Sequence, residues 1–185
     1  MEVQSLDGRK IFVIRQFLTA EECRHFIDMG ERLGFSDAPV TTALGPVMRK
    51  DYRDNARVML DDAALAQTWY ERARDLLVDD WMGWQPCGLN ERFRFYRYDV
   101  GQRFERHTDG YFERPTGERS QFTFMVYLND GFTGGETAFY QGRHKLLVTP
   151  EAGTALVFQH RAIHEGCPVE AGRKYVLRTD VMYHQ

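Results

Sequence analysis

Apolar and polar positions fall into two textures along this chain. Ile11-Phe12-Val13-Ile14 is a short unbroken apolar run, which predicts a buried strand. Thr19-Ala20-Glu21-Glu22 has the spacing of a capping box, and Cys23, Phe26, Ile27 and Leu33 recur at helical intervals, so a first helix is expected to end at Gly34. Ala56 to Leu60 reads as a short strand. Asp61 or Asp62 can then cap a second helix through Leu65, Trp69, Ala73, Leu76 and Leu77. Between the helices, Phe35 to Asn55 has no such period. Pro39, Gly45, Pro46 and the stretch Arg49-Lys50-Asp51-Tyr52-Arg53-Asp54 predict a long polar lid, cut first by trypsin near Arg49, Lys50 or Arg53.

Beyond Gly88 the texture changes to short aromatic and β-branched runs: Phe93–Tyr98, Phe122–Leu128, Leu146–Val148, Ala155–Phe158 and Tyr175–Met182. Turn signals such as Asn129-Asp130-Gly131 and Glu151-Ala152-Gly153 separate them. This pattern predicts a mainly β, α+β fold: a cupin-like double-sheet jelly roll buttressed by two N-terminal helices. At 185 residues a single domain is expected over 1–185, with 1–88 as helical support and lid and 89–185 as the core.

Charge narrows the function. With 24 Lys and Arg against 27 Asp and Glu, the chain lacks the overall basicity that nucleic-acid binding favours. Three scattered cysteines, Cys23, Cys87 and Cys167, suggest reduced thiols and a cytoplasmic protein. No apolar run has the length of a membrane span, so no membrane partner is expected.

The chemistry starts at His107-Thr108-Asp109. On an extended segment the side chains at i and i+2 leave one face, so His107 and Asp109 can reach one metal ion. His164, in His164-Glu165-Gly166-Cys167-Pro168-Val169, is the natural third ligand from another strand. Two imidazoles and a carboxylate make the facial triad of non-haem Fe(II) oxygenases, with open positions for substrate and O2. Imidazole ligation predicts metal binding that weakens in acid, with an affinity that changes between about pH 7 and 5. His160 is the rival, but it sits at the end of an expected strand, without the Glu of a His-Glu-x-x-His helix. His25, His144 and His184 read as peripheral. Lys174, Val176 and Arg178 share one face of the last strand, and Lys174 there suits the distal carboxylate of a dicarboxylic cosubstrate.

With these residues the chain resembles the 2-oxoglutarate (2OG)- and Fe(II)-dependent dioxygenases, most closely their prolyl 4-hydroxylase-like branch. The resemblance rests on Tyr98-x-x-Gly101-x-x-Phe104-x-x-His107-x-Asp109 and on Tyr127-Leu128-Asn129-Asp130 leading to Gly134-Gly135-Glu136-Thr137-Ala138-Phe139. It continues in His164-Glu165-Gly166-x-Pro168-Val169 and Gly172-Arg173-Lys174-Tyr175, and together these motifs span roughly 90–183. It implies a double-stranded β-helix with iron on His107, Asp109 and His164. It also implies Lys174 on the C5 carboxylate of 2OG, helped by Tyr98 and Thr137, with O2 as oxidant and ascorbate as a candidate reductant. The implied reaction hydroxylates an unactivated C–H bond and releases succinate and CO2. A prolyl or other protein side chain, or a small amino-acid-like molecule, is the expected substrate. Arg178 is a candidate for the C1 carboxylate of 2OG, for substrate, or for a structural ion pair. Asn55 and Arg57 beside the lid, and Tyr111 in the loop after Asp109, are substrate candidates. Two alternatives remain open: a nucleic-acid demethylase using Arg92, Arg94 and Arg97, and a non-catalytic jelly-roll metal-binding module.

Overall fold

The computed structural model describes residues 1–42 and 45–185. The N-terminal half contains β1 (Glu2–Asp7), β2 (Ile11–Arg15), α1 (Ala20–Leu33), β3 (Ser36–Asp37), β4 (Val40–Thr42), β5 (Gly45–Val47), β6 (Ala56–Asp61) and α2 (Ala63–Ala73). It is followed by β7 (Gln85–Leu89), β8 (Arg92–Tyr98), β9 (Phe104–His107), β10 (Arg119–Tyr127), β11 (Thr133–Gly134) and β12 (Thr137–Gln141). The chain closes with β13 (His144–Val148), β14 (Ala155–Gln159), β15 (His164–Gly166), β16 (Val169–Ala171) and β17 (Lys174–His184).

Most strands join one large antiparallel sheet in the order β1-β2-β14-β10-β17-β8-β6-β3, with β7 also paired to β17. A four-stranded sheet, β13-β12-β15-β9, carries the histidines of interest. Strand alternation gives the large sheet two unlike faces. Phe12, Ile14, Phe93, Phe95, Phe122, Phe124, Val157 and Leu177 form one core with Cys23 and Phe26 of α1 and Trp69 and Ala73 of α2. Their chain neighbours Ile11, Val13, Tyr96, Tyr98, Tyr127, Leu156, Phe158 and Val176 form a second core with Phe139 of β12. Trp69 is 1% exposed and makes edge contacts with Phe17, Phe26 and Phe93 at 5.2–5.6 Å. The helices are therefore pinned by aromatic packing of the kind that contributes most per residue.

Local signals place the helices. Thr19 and Glu22 exchange both capping-box hydrogen bonds at the start of α1, and the Asp62 carboxylate accepts from the Leu65 amide to cap α2. The second helix is shorter than expected: it ends at Ala73, and Arg74–Leu76 is a single 3-10 turn. β1 escapes sequence reading because it is polar; it forms the sheet edge, with Glu2–Ser5 exposed.

The segment expected to be a lid is paired along part of its length. Ser36–Asp37 pairs with β6, and β4 and β5 form a hairpin; Ala43 and Leu44, between them, lie outside the described residues. At its C-terminal end Arg53 bridges to Phe104, Glu105 N–H donates to Tyr52 O, and Asp54 N–H donates to Arg103 O. Residues 52–54 thus extend the edge of β9. Arg53 is 6% exposed, with its guanidinium over the Tyr96 and Phe104 rings. A polar run was mistaken for a solvated one because cation–π stacking buries this charge.

The arginines considered for nucleic acid are all engaged: Arg92 with Asp61, Arg94 with Asp180 and Arg97 with Glu31. All three cysteines are free, and among the described residues no helix is long and apolar enough to cross a membrane.

Candidate metal and cosubstrate site

His107 and His164 are register partners across β9 and β15, so their rings leave the same face. Each ring is oriented by the backbone two residues earlier, Nδ1 lying 2.7 Å from Glu105 O and 3.0 Å from Ala162 O. A carbonyl only accepts, so both Nδ1 atoms carry the proton and both Nε2 lone pairs are free for a metal. Phe104 stacks on His107 at 3.6 Å, and Phe158 packs edge-on to His164 at 4.6 Å.

Asp109 follows β9 and aims its carboxylate between the imidazoles. The contacts are 3.7 Å from His107 Nε2 to Oδ1 and 3.8 Å from His164 Nε2 to Oδ2. These exceed hydrogen-bond range, yet the three candidate ligand atoms lie within 4.8 Å of one another. Three donors converging on a common point without bonding each other fit a divalent cation. Two nitrogens and one oxygen suit Fe(II).

The protonation states agree. Burial, reinforced by His164, holds His107 down to about 3, and burial also lowers His164. Burial pushes the Asp109 carboxyl upward, but Arg178, His164 and His107 outweigh it and keep it well below the usual carboxylate range. Charging either imidazole in this buried position is costly, so acid is expected to displace a metal from them at lower pH than from ordinary imidazoles.

Behind the triad lies Lys174, 3% exposed and paired in register with Tyr98. Its Nζ donates to Gly135 O at 2.6 Å and lies 5.1 and 5.6 Å from the Tyr98 and Tyr127 rings. Gly135 has φ +68°, and a Cβ there would lie 3.2 Å from Lys174 Cδ, so glycine permits this approach. Among the described residues no carboxylate lies within ion-pair distance of Lys174. Burial pushes its pKa down to about 8. An isolated buried ammonium is costly and calls for an anion from outside.

One pocket joins Tyr98, Thr137, Lys174 and Arg178 to the triad. The Thr137 hydroxyl is 2.7 Å from the Tyr127 hydroxyl. Of the roles considered for Arg178, the structure shows the ion pair: Nη1 lies 3.0 Å from Asp109 Oδ1 and Nη2 lies 3.2 Å from Asp180 Oδ1. The substrate candidates separate. Asn55 is 1% exposed, accepts from Arg53 Nε at 2.7 Å and donates to Ala56 O, so it braces the chain and stands outside the pocket that holds the triad. Arg57 is half-buried on β6 outside the metal pocket. Tyr111 is 59% exposed and lies under Arg119, in an open cleft that shares Asp109 with the metal pocket.

Residues 93–179, the stretch holding the triad and Lys174, match the model of the 2OG-Fe(II) oxygenase superfamily. Over this stretch the chain is similar to the 2OG-Fe(II) oxygenase superfamily. Among curated proteins, this oxygenase is 28% identical over 211 residues to a probable prolyl 4-hydroxylase 8 of Arabidopsis thaliana, covering 95% of the chain and 69% of the relative. Its fold is similar to a Pseudomonas putida prolyl-4-hydroxylase, with TM-score 0.70, 20% identity and coverage of 94% and 93%. It is also similar to a Trichoplax adhaerens prolyl hydroxylase solved with a hypoxia inducible factor peptide fragment, with TM-score 0.71, 18% identity and coverage of 95% and 84%. The oxygenase is thus a prolyl 4-hydroxylase-like dioxygenase that uses Fe(II), 2OG and O2. When bound, these supply the oxidising power for C–H hydroxylation, 2OG ending as succinate and CO2.

Sequence reading missed Thr123 and Tyr96, which also line the metal pocket of this oxygenase. A signal existed for Thr123: one hydroxyl between Phe122 and Phe124 in an apolar strand implies a buried partner.

Proposed function

We propose that this oxygenase hydroxylates a prolyl side chain within a protein or peptide, with iron on His107, Asp109 and His164. The distal carboxylate of 2OG sits on Lys174, assisted by the Tyr98 and Thr137 hydroxyls, in a double-stranded β-helix formed by the two sheets. The whole chain acts as one domain, because Cys23 and Phe26 of α1 and Ala66, Trp69 and Ala73 of α2 are buried in the core against one face of the large sheet. The observation that carries the reading is the buried, anion-free Lys174 in the same pocket as three converging metal donors. An ammonium and a divalent cation lining one pocket match a 2-oxo dicarboxylate.

The substrate class rests on the prolyl 4-hydroxylase relatives and on the open cleft beside Asp109. Trp81, Trp84 and Tyr111 line that cleft together with Gln121 and Gln159. Aromatic walls with side-chain amides suit an extended, proline-containing segment, whose ring stacks and whose carbonyls accept hydrogen bonds.

The experiment is turnover of 2OG by the Fe(II)-loaded enzyme with a library of proline-containing peptides, read by succinate release and mass spectrometry. The expected result is peptide-stimulated succinate release with one oxygen added to a prolyl residue. Stimulation by free amino acids alone would move the substrate to a small molecule.

A further inference from the structure

Asp109 does not stand alone as a ligand. Its Oδ2 accepts from the Thr123 hydroxyl at 2.5 Å, and Thr123 is completely buried on β10. Thr123 Oγ1 also lies 3.2 Å from His160 Nδ1, and His160 Nε2 lies 2.9 Å from Ser120 Oγ. Ser120 Oγ in turn accepts from the Phe112 amide at 2.8 Å. Donor counting gives this chain a direction. A carboxylate can only accept, so the single Thr123 proton goes to Asp109, and His160 Nδ1–H must donate to Thr123. Burial keeps His160 neutral, leaving Nε2 as an acceptor for the Ser120 hydroxyl. These donors then point along one path, from the Phe112 amide through Ser120, His160 and Thr123 to Asp109, and Arg178 Nη2 also donates to Thr123 Oγ1 at 3.3 Å.

The geometry points to Thr123 and His160 as positioning residues for the iron ligand Asp109. The inference rests on the proposed triad and adds a device that sets the carboxylate plane. Thr123 fixes one oxygen, and Arg178, braced by Asp180, fixes the other. A carboxylate held at both oxygens cannot swing between binding modes, so it meets the cation in one orientation. His160 adds a second tie, because its backbone carbonyl accepts the Asp109 amide at 2.9 Å. The outer end of the relay reaches the open cleft, where Ser120 and His160 stand in the same wall as Tyr111.

The test is anaerobic titration of apo-protein with Co(II), read by calorimetry and visible absorption, with circular dichroism and melting curves for each variant. Thr123→Val should weaken Co(II) binding by about 10- to 100-fold, the usual cost of losing a hydrogen bond to a metal ligand. Thr123→Ser, which keeps the hydroxyl, should stay close to wild type. His160→Leu should fall between the two and shift the absorption bands, while the KM for 2OG at saturating metal stays unchanged. A folded Thr123→Val that binds Co(II) like wild type overturns the inference. If Thr123→Val does not fold, unchanged affinity in His160→Leu overturns the relay. His107→Ala separates the two levels: it must lose Co(II) binding, and retention there would sink the triad itself.

Discussion

The two faces of the large sheet are built from the same strands and differ in what they contain. Facing α1 and α2, alternate members of the central strands are Phe93, Phe95, Phe122, Phe124 and Leu177, all with 0–1% exposure and no polar side-chain atom. On the other face stand Tyr96, Tyr98, Thr123, Lys174 and Arg178, also shielded from water yet rich in charge and hydroxyls. The first face gains stability from burial and aromatic contact. The second holds a lysine without a counterion and faces the buried histidines of the smaller sheet across one pocket, an unfavourable arrangement that persists in a site where a ligand is to supply the missing partner. The contrast gives the helices a purpose, since the apolar face they cover offsets the instability of the functional one.

The strongest break in the comparison comes from the triad. His107→Ala, Asp109→Ala or His164→Ala should each abolish succinate release while circular dichroism stays native, because only the functional face is touched. An active triad variant would show that these residues are not the ligands. On the opposite face, Phe124→Ala should destabilise the fold by about 3–5 kcal/mol, the range for a buried aromatic lost from a core. Denaturant melts measure this, and the KM for 2OG of the folded fraction should not change.

Lys174→Met tests both faces of the argument at once. Losing a charge-assisted contact of about 1.5–3 kcal/mol should raise the apparent KM for 2OG by about 10- to 150-fold. The melting temperature of the ligand-free protein should rise, since an unpaired buried ammonium has been removed. A fall in both properties would mean that Lys174 is structural.

Titration of Lys174 gives two opposite trends with pH. Its folded pKa of about 8 lies below the ordinary 10.5, so between these values the unfolded chain holds more protons. Stability from this group therefore grows as pH rises through that window, is full above about 10.5, and is lost as pH falls through 8. Binding of 2OG needs the charged form, so kcat/KM for 2OG should fall above pH about 8. Parallel movement of the two would refute the assignment.

The smallest effects concern acid and protease. Metal affinity should change little between pH 7 and 5, and a steep loss there would mean that the imidazoles titrate normally. Trypsin should cut first at Arg49 or Lys50, which are exposed, while Arg53 resists until the fold opens. Early cleavage at Arg53 would contradict its place between Tyr96 and Phe104.

Much of this was legible in the sequence because it depends on spacing. His107-x-Asp109, the capping residues Thr19 and Asp62, and the shared face of Lys174 and Arg178 all follow from fixed repeats of strand and helix. Residues whose meaning depends on distant partners were harder to read. Arg53 is polar in sequence and buried in space because two rings from other strands receive it. Asn55 borders the lid in sequence, yet it serves Arg53. The Asp109–Thr123–His160 chain joins three segments, and nothing local marks it beyond a hydroxyl among phenylalanines.

The direct pairing of His107 with His164 across β9 and β15 has a consequence for how the chain finds its fold. With the proposed ligand set, a slip of one residue between these short strands would turn one imidazole outward and leave a cation with two ligands. On that reading only the correctly aligned pair would gain from iron, whose binding would lower the free energy of that state by mass action. The metal would then act as a proofreader of strand register, while residues 52–54 pair with β9 along its other side.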